Sequence, residues 1–244
     1  MADTEHFVRE DVRGFLEMLE QIGGQGVEEV GAEIGRQQMR AMGSLAEAPA
    51  RAMAVKRDLA CPGPAGDIPL RFYDTKETRE AGPCVVFFHG GGFVIGDLEV
   101  YDSLCTEIAH QLDLPVISVD YRLAPEHPFP AAPDDCEAAA RWVASSPEGL
   151  DRTFTGLVLT GDSAGGNLTI VTTNALVNDP ADVPVLVQGL QHGHAAPALH
   201  LVPHAAVPLA DPARATPAPA PVAPADAAAA AAVVDADDAA AASA

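Results

Sequence analysis

The spacing of apolar positions changes three times along the chain, and each change predicts a different kind of structure. Between about residues 10 and 45, apolar side chains recur every three or four positions. Val12, Phe15, Leu16, Leu19 and Ile22 share one helical face, Gly23, Gly24 and Gly26 interrupt it, and Val27, Val30, Ile34 and Met39 resume it. Two amphipathic helices are predicted. Such a pair cannot bury its stripe alone, so it is expected to lie over a larger body. From Ala54 the spacing becomes that of strands, with candidates at Val55–Leu59 and Ile68–Tyr73 around a Pro/Gly turn. Val85-Val86-Phe87-Phe88 and Val116–Val119 are solid apolar runs, as expected for strands buried on both faces. Helical patterns over 104–112, 134–143 and 164–177 alternate with strand patterns over 157–160 and 183–187. Alternation of this kind predicts an α/β, mostly parallel, doubly wound sheet with right-handed crossovers, whose ligands sit at the carboxyl ends of the strands.

After Gln188 the pattern stops. Gln191-His192-Gly193-His194, His200 and His204 follow without helical or strand period, and from Asp211 onward Ala, Pro and Asp dominate. Such a segment lacks the apolar content to build a core. The expected organisation is a helical segment over 1–50, a partial α/β domain over 51–188, incomplete on its C-terminal side, and a low-complexity, disordered tail over 189–244. A GC-rich gene read out of frame produces this composition, so the switch predicts a frame shift near Gln188.

Composition narrows the partners. Lys plus Arg number 14 against 35 Asp plus Glu, a net charge of −21, which disfavours nucleic acid and anionic membranes. No run of about 18 apolar residues predicts a membrane span. The N-terminus lacks the basic flank and apolar core of a signal peptide, so a cytoplasmic location is expected. The cysteines at 61, 84, 105 and 136 fit no metal spacing and are expected to be reduced thiols.

Two motifs carry chemistry. Gly161-Asp162-Ser163-Ala164-Gly165 is Gly-x-Ser-x-Gly between a predicted strand and a predicted helix. That context sets a serine on a sharp turn, exposes its hydroxyl, and aims a helix N-terminus at the reacting oxygen. Ser163 is the candidate nucleophile. His89-Gly90-Gly91-Gly92-Phe93 directly follows the strand at 85–88. Acyl transfer passes through an oxyanion that needs preorganised N–H donors, and glycines let the backbone approach it. The N–H groups of Gly90, Gly91 and Ala164 are the expected oxyanion hole, in a loop motif completed by His89 and Gly92. A nucleotide-binding loop is disfavoured, because no Gly-Lys-Ser/Thr follows.

These residues, with Asp120-Tyr121-Arg122-Leu123-Ala124-Pro125-Glu126-His127-Pro128-Phe129-Pro130-Ala131 between them, resemble the hormone-sensitive-lipase-like esterases, also called bacterial esterase family IV. The resemblance runs from about residue 10 to about residue 188. It implies the α/β-hydrolase fold, an N-terminal helical cap over the acyl pocket, and a Ser–Asp–His triad. It also implies hydrolysis of short- to medium-chain carboxylic esters, with no cofactor and no metal. His89 is then a loop-orienting residue, and His127 a structural residue of a Pro-rich turn. Asp162, beside the nucleophile, points elsewhere and is not the triad acid.

The triad Asp and His remain unassigned. In this fold they follow the serine in that order on later loops. Only 81 residues follow Ser163 (244 − 163), and each further βα unit takes roughly 30. The available histidines 192, 194, 200 and 204 precede the only acid-loop-like segment, Asp211-Pro212-Ala213-Arg214, which reverses the order. Two functions stay open. One is a serine carboxylesterase acting on a small-molecule ester. The other is a catalytically impaired remnant, or a non-catalytic binding module. An amidase or peptidase differs from the first only in its leaving group. Oligomeric state is not specified by any of these patterns.

Overall fold

The computed structural model describes residues 7–23, 27–191 and 200–203. The chain divides into two units at 206/207, and everything described belongs to the first. The tail after Pro203, the frame shift expected to produce it, and the side chains of all four late histidines lie outside the described residues.

Two N-terminal helices come first, α1 (Glu10–Ile22) and α2 (Val27–Ala46), with a break in α2 at Gly31, where φ is 78°. The sheet strands follow: β1 (Val55–Gly63), β2 (Gly66–Asp74), β3 (Gly82–Phe88), β4 (Val116–Val119), β5 (Phe154–Asp162), β6 (Val185–Gln191) and β7 (His200–Pro203). Helices α3 (Asp102–Leu112), α4 (Ala131–Ala144) and α5 (Ala164–Asn178) connect them. Strand order is β1-β2-β4-β3-β5-β6-β7. The central four strands are parallel, while β1, β2 and β7 join antiparallel.

Side-chain alternation along the central strands divides the interior into two layers. Cys84, Val86, Phe88, Ile117, Leu157 and Leu159 face α4 and α5, whereas Val85, Phe87, Val116 and Val158 face α3. Burying both faces is what makes Val85–Phe88 read as an unbroken apolar run. Helices α3 and α5 match their predicted spans within two residues at either end, because their apolar stripes face the sheet.

The expected end of the patterned region at 188 does not match the backbone. β6 runs to Gln191, and β7 returns against it, pairing Val187 with Pro203 and Leu190 with His200. Strand pairing draws on main-chain N–H and C=O groups, so four residues suffice without a side-chain period to announce them. No described helix is long and apolar enough to cross a membrane.

Candidate active site

Ser163 stands between β5 and α5 with φ 50° and ψ −116°. This is a strained conformation for a residue with a Cβ, and it lifts the side chain clear of the turn. Its neighbours permit that turn only by being small. A Cβ on Gly161 or Gly165 would overlap the Phe88 carbonyl oxygen at the end of β3. The glycines two before and two after the serine thus let β5, α5 and β3 close on one another. Ser163 itself is exposed, while Ala164, Gly165 and Gly166 are buried.

The first N–H groups of a helix have no intrahelical acceptor. In α5 the first such bond runs from the Asn167 N–H to the Ser163 carbonyl, 3.2 Å. The Ala164 N–H therefore remains available at the positive end of the helix.

The loop after β3 is equally strained. Gly91, Gly92, Phe93 and Gly96 all have positive φ: 113°, 62°, 64° and 99°. The turn closes through Val94 and Ile95, whose N–H groups both donate to the Gly91 carbonyl at 3.1 and 3.0 Å. His89 is fully buried and stacks on Tyr121 with centroids 4.3 Å apart. Its Nδ1 lies 2.7 Å from the Gly90 carbonyl, so that nitrogen carries the proton. Burial pushes the His89 pKa down, which keeps the ring neutral. That contact joins the ring to the backbone of the loop, and no described histidine hydrogen-bonds to Ser163.

One expected donor is otherwise engaged. The Gly90 N–H donates to Asp162 Oδ1 at 2.8 Å, with the Tyr101 hydroxyl at 3.1 Å. A hydrogen already held by a carboxylate is not offered to a second acceptor, so the Gly90 N–H, expected to be a free donor, is engaged within the fold. Among the described residues, Gly91 and Gly92 N–H have no acceptor. The available donors are those of Gly91, Gly92 and Ala164. Asp162 is the residue the sequence undervalued. Its other oxygen accepts from the Tyr101 hydroxyl at 2.9 Å, and it ties the start of the oxyanion loop to the elbow. Its carboxylate is turned to Gly90 and Tyr101. Which group it points to is set by tertiary packing.

Beside this corner lies a pocket of about 320 Å³, bordered by Gly92, Phe93, His127, Phe129, Leu168 and Val171. One further wall is Arg122, held by Asp135 through Nε and Nη2 at 2.8 Å each. Asp135 is buried, so the guanidinium is neutralised and the pocket presents mainly carbon. Among the described residues no cluster of His, Cys, Asp and Glu could hold a metal ion.

A family model described as alpha/beta hydrolase fold matches residues 85–232. The esterase LipI of Mycobacterium tuberculosis is 44% identical over 133 residues, 54% of this chain and 41% of that protein. The ester hydrolase EH1AB1 from the Lake Arreo metagenome, solved with a bipyridine phosphonate derivative, superposes with a TM-score of 0.68 at 34% identity. That match covers 75% of this chain and 59% of the other. An esterase of the archaeon Pyrobaculum calidifontis gives a TM-score of 0.66 at 34% identity, covering 74% and 57%. The chain thus spans well under two thirds of the length of the curated relatives it matches.

Proposed function

We propose that this chain, which belongs to the α/β-hydrolase fold family, cleaves carboxylic esters through Ser163. The observation that carries the reading is the pairing of a strained, exposed serine with three unengaged N–H donors, those of Gly91, Gly92 and Ala164. The esterase names of its relatives support it.

In this reading the Ser163 hydroxyl attacks the ester carbonyl carbon, and the carbonyl oxygen becomes an oxyanion held by the three N–H groups. Collapse expels the alcohol and leaves an acyl-serine, which water then hydrolyses to the acid and free Ser163. The N-terminus of α5 favours the negative charge at its height. The proton acceptor and its orienting acid are unassigned. The pocket of about 320 Å³, lined mostly by carbon, suits a short acyl or alkyl group, so short- to medium-chain esters are the expected substrates.

Turnover of p-nitrophenyl butyrate by the full chain, beside Ser163→Ala, tests this. The native chain is expected to exceed the variant by at least about tenfold, since only the native chain can form the acyl-serine, while the variant keeps no more than oxyanion stabilisation and binding. Equal rates would overturn the reading in favour of a non-catalytic domain.

A further inference from the structure

We propose that Arg36 of α2 is a latch on the oxyanion loop, holding its strained backbone with the Gly91 and Gly92 N–H groups forward, so that docking of α2 sets the reactivity of Ser163. The inference rests on the serine-hydrolase reading above. Its own observations are separate from that reading.

Four residues of the 91–96 loop lie at positive φ. One of them is Phe93, which has no glycine's freedom there. Such a backbone persists only where its surroundings over-determine it. Three restraints come from the body of the fold. Asp162 holds the Gly90 N–H, the Tyr121 hydroxyl donates to the His89 carbonyl at 2.7 Å, and the Ala124 N–H donates to the Phe93 carbonyl at 2.8 Å. All of these act on residues up to Phe93. The far side of the turn is held from a helix 58 residues earlier in the chain. Arg36 Nε donates to the Val94 carbonyl at 2.8 Å.

The same guanidinium reaches across to the Pro-rich segment that borders the loop. Nη2 donates to the Ala124 carbonyl at 3.0 Å, and Nη1 and Nη2 grip Glu126 at 2.9 and 2.7 Å. Ala124 binds Phe93 and Arg36 binds both Ala124 and Val94, so one planar fork spans two consecutive carbonyl supports of the turn. A planar donor set with fixed directions is what arginine offers and lysine does not. The Arg36 side chain is only 18% exposed, which shields these bonds from competing water. α2 also carries Arg40, whose Nε meets Asp97 just beyond the loop at 2.5 Å. Arg36 touches no reacting atom in this arrangement. It is a positioning residue.

The test uses the full chain, with Arg36→Met, Arg36→Lys, Glu126→Gln and Ser163→Ala. The first readout is amide hydrogen exchange of the 89–96 segment, which requires no activity. In both Arg36 variants, exchange at Val94 and Ile95 is expected to rise about tenfold while β3 keeps its protection, because only the local opening becomes easier. The second is p-nitrophenyl butyrate kinetics. There kcat is expected to fall about tenfold with KM nearly unchanged, the mark of an interaction expressed in the transition state. Glu126→Gln keeps the bonds to Val94 and Ala124 and is expected to lose less in both readouts.

Unchanged exchange at Val94 and Ile95 in both Arg36 variants would overturn the latch. So would a loss in Glu126→Gln equal to that in Arg36→Met, which would reduce the contact to a docking ion pair. Arg36→Lys retains the charge, so it decides the question if Arg36→Met folds poorly. Equal turnover by the native chain and Ser163→Ala would sink the hydrolase reading alone, and the exchange measurement would still decide the latch.

Discussion

At the carboxyl ends of β3 and β5 the backbone is strained and its donors are left open. At the amino ends of the same strands the donors are bound instead. There Asp74, fully buried at the end of β2, accepts from the Lys76 N–H, from Arg79 Nε at 2.7 Å and from Arg152 Nε at 3.0 Å. Arg79 continues to Thr75 and to the carboxylate and carbonyl of Asp113, and Arg152 to the carbonyls of Asp151, Lys76 and Glu77. Both arginines at that end are matched by Asp74 and by surrounding oxygens. The site end holds N–H groups without acceptors and a serine at positive φ. The difference teaches how one sheet carries a reactive edge: N–H donors are left without acceptors where chemistry is needed, and at the opposite edge a buried carboxylate gathers the donors around it.

The comparison breaks first if Asp74 proves dispensable. Asp74→Ala leaves two mostly buried guanidiniums without their shared carboxylate, and a loss of about 3–5 kcal/mol in urea unfolding is expected. Turnover per folded molecule should stay near native, since Asp74 is remote from Ser163 in role. Gly165→Ala drives a Cβ into the Phe88 carbonyl, so a loss of about 2–3 kcal/mol is expected, with soluble yield falling in step.

Asp162→Ala should sharpen the contrast. It frees the Gly90 N–H and the Tyr101 hydroxyl inside the fold, at about 1–3 kcal/mol. Labelling of Ser163 by a fluorophosphonate is expected to slow about tenfold as the loop loses its tie. A variant that labels at the native rate would show that the loop is held without Asp162.

The smallest effect is a gain. Burial, and then neighbouring Asp97, push the Asp120 carboxyl up to about 6. A folded pKa above the unfolded value of 3.8 means that the native state binds the extra proton between those limits. Stability therefore falls as pH rises through that window, and the penalty persists above it. Asp120→Asn is expected to be more stable at pH 8 by about 1 kcal/mol in urea unfolding, a modest figure because the group is partly open to solvent and Arg40 and Arg71 offset its cost. The advantage should fade as pH falls through 3.8 and vanish about one unit below it, where the carboxyl is protonated in both the folded and the unfolded state.

The elbow was legible in the sequence because its requirements are local. A strand, small residues around a serine and a following helix are all written within 20 residues, and β3 was legible because burial on both faces leaves no polar position. The cluster around Asp74 was invisible. Asp74, Arg79 and Arg152 lie up to 78 residues apart, and no spacing rule links them. Gly90 shows the same limit inside a recognised motif. Its glycine identity was readable, but the acceptor of its N–H was decided by Asp162, 72 residues later. β7 escaped because pairing to a neighbour's backbone imposes no side-chain period. Arg36 belongs to no motif, and only the folded chain brings Val94 and Ala124 within its reach.

The four cysteines of this fold provide a built-in clock for its opening. Cys61, Cys84 and Cys136 sit in the layer under α4 and α5, and Cys105 in the layer under α3. All are free and buried, and burial pushes Cys61 up to about 11 and Cys105 up to about 12. At neutral pH such thiols are shielded from an alkylating reagent twice over, by inaccessibility and by protonation. Mass-resolved alkylation over time would then report when each side of the sheet uncovers. Simultaneous labelling at Cys84 and Cys105 would mean the two layers unfold as one unit, and staggered labelling would reveal which side gives way first.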